Sequence, residues 1–241
     1  MPLCEDHVEA SPLLAGLFPA GIVAMETRQP GDPALLSAAE RVQIARARPK
    51  RAGEFTAGRL CARRALAAFG REGWDLLAGP DRAPRWPPDM VGSISHVEGY
   101  CGAVLAARSR FRSLGLDVEL DSRVTAELHE QVLTAAERRC LATAEPGHLN
   151  RWATLGFAAK EAFYKCQYPL TGEWLDFIDI EIDFAPLVRD PAEACGRLAV
   201  RPCRPLDVER HWPAPWQGRF ALGGERVYVG FAVSGATGCQ M

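Results

Sequence analysis

Two apolar periods alternate along this chain, and neither an all-helical nor an all-strand fold accommodates both. Between Pro49 and Gly70, the residues Phe55, Ala62, Leu66 and Phe69 share one face at helical spacing, with Pro49 suited to the start and Gly70 to the stop. In SLGLDVEL, by contrast, Leu114, Leu116, Val118 and Leu120 recur with a period of two, which predicts a strand with one buried face. The second half repeats the alternation. Thr134 with Glu137 three residues later forms a capping-box pattern, a longer helix is predicted from about Asn150 to Gln167, stopping before Pro169, and DFIDIEID and RVYVGFAV read as short strands. This alternation predicts an α/β or α+β fold. Residues 1–37 are rich in Pro, Gly and Ala and predict short strands and loops. GPDRAPRWPP, from Gly79 to Pro88, is turn chemistry on the surface. No long linker, low-complexity tract or repeat stands out in the letters.

Composition narrows the partners. With 241 residues and 48% apolar side chains, the chain can bury a sizeable core without a disulfide or structural metal. A formal net charge of −2 argues against nucleic acid or an anionic membrane as partner. The eight cysteines (Cys4, Cys61, Cys101, Cys140, Cys166, Cys195, Cys203, Cys239) form no CxxC pair and read as reduced, mostly packed thiols. Glu5, Asp6 and His7 stand where a signal peptide carries cations, and no apolar run reaches the roughly 18 residues of a membrane span, so a cytoplasmic protein is expected.

Of 28 basic residues only Lys50, Lys160 and Lys165 are lysines. A chain that uses arginine by default and still keeps an ammonium at a few places either tolerates it there or needs it there. Arg59 falls at the edge of the first helix's apolar face, where its stem could cover the core with its head in water, or serve a site.

Three stretches carry chemistry. In GLDVE, strand alternation puts Asp117 and Glu119 on one face, roughly 6.5–7 Å apart at the backbone, where they could share a hard cation such as magnesium or simply meet solvent. In FAAKEAFYK, the stripe Leu155, Ala159, Ala162, Cys166 packs inward and leaves Lys160, Glu161, Tyr164 and Lys165 pointing away from the core. One acid beside two ammonium groups suits a metal ligand or base next to phosphate, and equally a solvated face with an i,i+4 pair. In SISH, Ser95 and His96 offer a hydroxyl and an imidazole donor to phosphate.

GSISH, then GLDVE about twenty residues on, then FAAKEAFYK about forty further, resemble the 4′-phosphopantetheinyl transferase superfamily. PKRAGEFTAGRLCARRAL and the DRAPRWP turn look like the type that activates enterobactin and surfactin synthetases, and with them the resemblance runs from about residue 40 to about 172. It implies an α+β fold of two similar lobes packed as a monomeric pseudo-dimer, residues 1–113 and 114–241, with coenzyme A in the cleft between them. It implies Asp117, Glu119 and Glu161 as magnesium ligands, Glu161 as base and Lys160 as the cation on the attacked phosphate. Ser95, His96 and Arg82 then match binders of the adenosine half, with Lys165, Arg51 and Arg59 as further coenzyme A contacts. Phe157 opens the third motif where many relatives have Trp. The implied reaction loads an apo acyl or peptidyl carrier protein, for siderophore, nonribosomal peptide or polyketide synthesis. Two other readings compete: a metal-dependent nuclease or phosphohydrolase, whose usual (D/E)xK order is reversed here, and a silent coenzyme A-binding module, in which three clustered acids would repel to no purpose.

Overall fold

The computed structural model describes residues 7–144, 146–184 and 194–235. Cys4, Cys239, Glu5 and Asp6 lie outside them. Helices and sheets mix in two compact units, one formed by the chain through Arg112 together with the residues from Ser234, the other by Ser113–Val233. Ser234 and Gly235 thus rejoin the first unit, where Gly235 N–H donates to the Arg110 carbonyl at 2.7 Å.

The first unit is a four-stranded antiparallel sheet crossed by one long helix. Its strands are β1 (Glu9–Ala10), β2 (Val23–Thr27), β3 (Met90–Val97) and β4 (Tyr100–Ala107), in the order β1-β2-β4-β3. Ser95 pairs with Gly102 and Val97 with Tyr100, so the SISH segment lies on a hairpin closed by Gly99 at φ 66. A short helix α1 (Pro12–Gly16) precedes β2; its signal was local, Ser11 as cap with Pro12 at the first position. Helix α2 (Ala38–Ile44) starts on a Ser37–Glu40 capping box. Helix α3 (Pro49–Ala67) follows the predicted limits closely and buries Cys61, Ala62, Ala65 and Leu66 against Leu76, Met90, Ala103 and Leu105. The Gly79–Pro88 segment is irregular as expected, with Arg82 at φ 66 in its turn.

The second unit orders β5 (Phe111–Leu120), β6 (Ile180–Ile182), β7 (Cys195–Pro202), β8 (Trp216–Gly223) and β9 (Arg226–Ser234) as β5-β9-β8-β7-β6. Helices α4 (His129–Val132) and α5 (Ala135–Leu141) lead into α6 (Leu149–Thr171). The expected Thr134–Glu137 box caps α5. Helix α6 does not stop before Pro169. It runs one turn further, Pro169 forfeiting only its own bond to the Lys165 carbonyl, and ends at left-handed Gly172, whose N–H reaches the Tyr168 carbonyl at 2.8 Å. Its apolar face is the unit's core: Trp152, Leu155, Ala159 and Phe163 are fully buried, and the Phe163 ring lies 4.5 Å from Trp216 and 5.8 Å from both Trp212 and Phe231. Among the described cysteines Cys61, Cys101 and Cys166 are buried, Cys140 is half-buried, and Cys195 and Cys203 are exposed. No helix among the described residues is long and apolar enough to cross a membrane.

Candidate active site

The site in the second unit begins with a missing side chain. A Cβ at Gly115 would stand 1.9 Å from the Ala162 carbonyl oxygen of α6 and 2.8 Å from Cys166 N, so only glycine lets this helix lie flush on β5. Asp117 and Glu119 follow on the same strand face by alternation, while Leu114, Leu116 and Val118 bury the other. That face meets α6, not solvent. Asp117 is only 3% exposed, which corrects the half-buried strand that an isolated DxE pair suggests.

Lys165 Nζ donates to Asp117 Oδ1 at 2.6 Å and to the Leu116 carbonyl at 3.3 Å. Burial pulls this ammonium down, but the charges of Asp117, Glu161 and Glu119 together leave it above the ordinary lysine value. Glu119 is pushed up to about 7 by burial and then by Asp117, with Arg123, 4.0 Å away, pulling back. Glu161 is raised by the same two causes against Lys165. Three carboxylates therefore sit in one another's field, short of positive charge. Hard oxygen donors in that state suit a divalent cation such as magnesium, so the residues fit the ion the resemblance implies. Their rotamers are not those of a loaded site. Among the described residues no three acids, histidines or cysteines converge on one point, and Lys165 holds an Asp117 oxygen.

Beside Glu161 opens a cavity of about 330 Å³, walled by Lys160, Tyr164, Trp174, Leu175, Phe177 and Ile180 with Asp176. Its outer wall, residues 173–179, is fixed by Arg204, which reaches Glu173 Oε1 at 2.8 Å and both Asp179 oxygens at 2.8 and 2.9 Å. The sequence did not reveal this wall. Trp174, 76% exposed, and the Arg204 clamp belong to segments whose partners are far apart in the chain.

Lys160 does not point away from the core as the stripe predicted. Its side chain is 1% exposed, and Nζ donates to Glu137 Oε2 at 2.7 Å, the Phe177 carbonyl at 2.8 Å and the Val132 carbonyl at 2.9 Å. Burial lowers its pKa and raises that of Glu137, the direction for a pair taken out of water. The stripe treated every residue outside it as solvated, but α4 and α5 cover the side of α6 that carries Lys160.

In the first unit the structure brings Arg51 and His96 together. Arg51 Nη1 stands 2.6 Å from His96 Nε2, which must then accept, and Glu54 Oε2 lies 3.7 Å from Arg51 and 4.0 Å from His96 Nδ1. Glu54 escaped the sequence reading. Ser95 is buried and Arg82 exposed. Arg59 keeps its head out of water, donating from Nε to the Leu76 carbonyl at 2.9 Å with its guanidinium 3.8 Å from the Phe55 ring centre. Burial lowers its pKa to about 10.

A mixed helix–sheet scaffold that presents three acids and an ammonium beside an apolar cavity has the groups that phosphoryl transfer uses. Residues 39–106 match the family described as the 4′-phosphopantetheinyl transferase N-terminal domain, and residues 113–202 match the 4′-phosphopantetheinyl transferase superfamily. The chain is 36% identical over 230 residues to 4′-phosphopantetheinyl transferase Svp of Streptomyces mobaraensis, covering 94% of this chain and 91% of that one. It is 40% identical over 141 residues to 4′-phosphopantetheinyl transferase PptT of Mycobacterium tuberculosis, covering 58% and 62%. With enterobactin synthase component D of Escherichia coli K12 it shares 32% over 142 residues, 58% and 65%. The chain belongs to the 4′-phosphopantetheinyl transferase superfamily. The nuclease and silent-module readings find no support among these relatives.

Proposed function

We propose that this chain is a magnesium-dependent holo-carrier-protein synthase, which moves the 4′-phosphopantetheine arm of coenzyme A onto a serine of acyl or peptidyl carrier proteins. The observation that carries the reading is the acid trio Asp117, Glu119 and Glu161, held with Lys165 on the β5–α6 contact. Asp117, Glu119 and Glu161 would hold the ion, which when bound neutralises charge on the pyrophosphate. Glu161, with its carboxyl raised, would take the serine hydroxyl proton. The serine oxygen then bonds to the β-phosphorus, the bond from that phosphorus to its bridging oxygen breaks, and adenosine 3′,5′-bisphosphate leaves. Lys165 offers positive charge beside Asp117. The apolar walls beside Glu161 suit the weakly polar arm.

In the first unit, Arg51 and His96 are the best-exposed pair for the phosphates of the adenosine half, with Arg82 available at its turn. Ser95 and Arg59 are assigned to the same half by resemblance, though Arg59 is already engaged with Leu76 and Phe55. We place the lobe boundary near Ser113 and the protein in the cytoplasm as a monomer.

The test is intact-mass analysis of apo carrier proteins incubated with coenzyme A and magnesium, where loading adds roughly 340 Da. Chelation of the metal is expected to stop loading. Asp117→Ala is expected to slow it by about a hundredfold or more, as removal of transition-state charge stabilisation, with a fold still cooperative by its melting curve although the buried pair with Lys165 is lost. Release of inorganic phosphate in place of adenosine bisphosphate would sink the reading.

A further inference from the structure

The cation that the resemblance sets against the transferring phosphate has no donor left to give it. Lys160 spends its three N–H groups on Glu137, Val132 O and Phe177 O inside the second unit. An ammonium that is 1% exposed and fully bonded must give up one of these buried bonds to donate to phosphate, although its side chain lines the cavity beside Glu161.

The same bonding recurs where no phosphate chemistry is proposed. In the first unit the buried Glu40, member of the Ser37 capping box, is paired with Arg63, and Arg63 Nη1 also donates to the Leu35 carbonyl at 2.7 Å. In the second, Glu137 of the Thr134 box is paired with Lys160, which also reaches the Val132 carbonyl. Each glutamate offers its other oxygen to a distant backbone N–H, Leu76 at 3.0 Å and Ile182 at 2.6 Å respectively. Four members of the clamp have counterparts 97 positions on: Leu35 and Val132, Ser37 and Thr134, Glu40 and Glu137, Arg63 and Lys160; the distant N–H donors Leu76 and Ile182 do not keep that interval. The repeat is legible after the fact in LSAAER (residues 36–41) against LTAAER (residues 133–138).

We infer that Lys160 is a positioning residue, the cation of a buried clamp that ties α6 to the end of α4, to α5 and to the Phe177 turn, and that it contacts no phosphate of coenzyme A. Its bond to the Phe177 carbonyl has no counterpart at Arg63. Through it the clamp holds the cavity wall against the same turn of α6 that carries Glu161. This also accounts for a lysine in an arginine-rich chain. Three acceptors converge on the buried Nζ, which a compact ammonium satisfies and a planar fork does not, whereas Arg63 is 27% exposed and has room for its fork.

The inference rests on the proposed coenzyme A site, and the test separates the two. With only three lysines, 15N labelling of lysine side chains in the wild-type protein gives at most three Nζ signals, assigned with Lys50→Arg and Lys165→Arg. On addition of coenzyme A and magnesium, Lys165 is expected to shift and Lys160 to stay slow-exchanging and nearly unmoved. A Lys160 shift as large as that of Lys165 overturns the clamp, whereas an unmoved Lys165 counts against the proposed site and leaves the clamp standing. Lys160→Arg supplies a second reading, with about a tenfold or greater fall in kcat, KM for coenzyme A within about threefold of wild type, and a lowered melting temperature. A Lys160→Arg protein that melts with the wild type yet loses coenzyme A affinity would show a phosphate ligand instead.

Discussion

At the scale of single residues, the most demanding position of the site is Gly115, which touches nothing chemical. Any side chain there must displace α6 from β5, because its nearest neighbour is a helix carbonyl and not a flexible tip. Gly115→Ala is therefore expected to cost about 3 kcal/mol, in the upper range for overpacking, and to lower the melting temperature by roughly 6–12 °C. It should also slow carrier loading by about a hundredfold, since Lys165 and Glu161 move away from Asp117 and Glu119 with the helix. A melting curve with a loading assay on Gly115→Ala checks both, and an unshifted melt would show that α6 does not rest on β5 this closely. The sequence displayed this glycine inside GLDVE without its reason, because the reason lies 47 residues away in the Ala162 backbone. Lys160 teaches the same lesson: helical spacing put it off the core, and it is buried instead because its partners come from α4, α5 and the Phe177 turn, which no local period reports. What depends on near neighbours was legible, as with the Thr134–Glu137 box and the span of α3.

At the scale of elements, the 173–179 wall depends on one arginine. Arg204 binds Asp179 through two oxygens and Glu173 through a third, and the Glu173 second oxygen accepts the Asp207 N–H at 2.9 Å. The Arg204 hydrogen bonds hold the Asp179 carboxyl below the usual carboxylate range. A carboxylate depressed on folding stabilises fully above its unfolded pKa of about 3.9, and that contribution is lost as pH falls through the lower folded value. Amide protection across 173–179 is thus expected to be level from about pH 8 to 5 and to fall only below about pH 4. Arg204→Gln should lose protection over the whole range and raise KM for coenzyme A, while leaving the acid trio untouched. Hydrogen exchange read by mass spectrometry follows both variants, and protection in Arg204→Gln equal to that of the wild type would remove the arginine from this role.

At the scale of the whole molecule, the three lysines sample three environments: the Lys50 side chain is 69% exposed, that of Lys165 30% and that of Lys160 1%. An amine-acylating reagent near pH 8 is expected to modify Lys50 first and Lys165 next. Lys160 should react about a hundredfold or more slowly than Lys50, at a rate set by local opening. Peptide mass mapping over a time course gives the order directly, and early modification of Lys160 would contradict its burial. The return of the chain after β9 has a different kind of consequence. Arg110 and Gly235 share a 2.7 Å backbone hydrogen bond, and β5 and β9 neighbour each other in their sheet, so the second unit enters and leaves the chain at one doorway. A short splice across that doorway, removing Ser113–Val233, keeps the first unit's chain path continuous, and joining the ends of the excised piece makes it a circle open to new termini elsewhere.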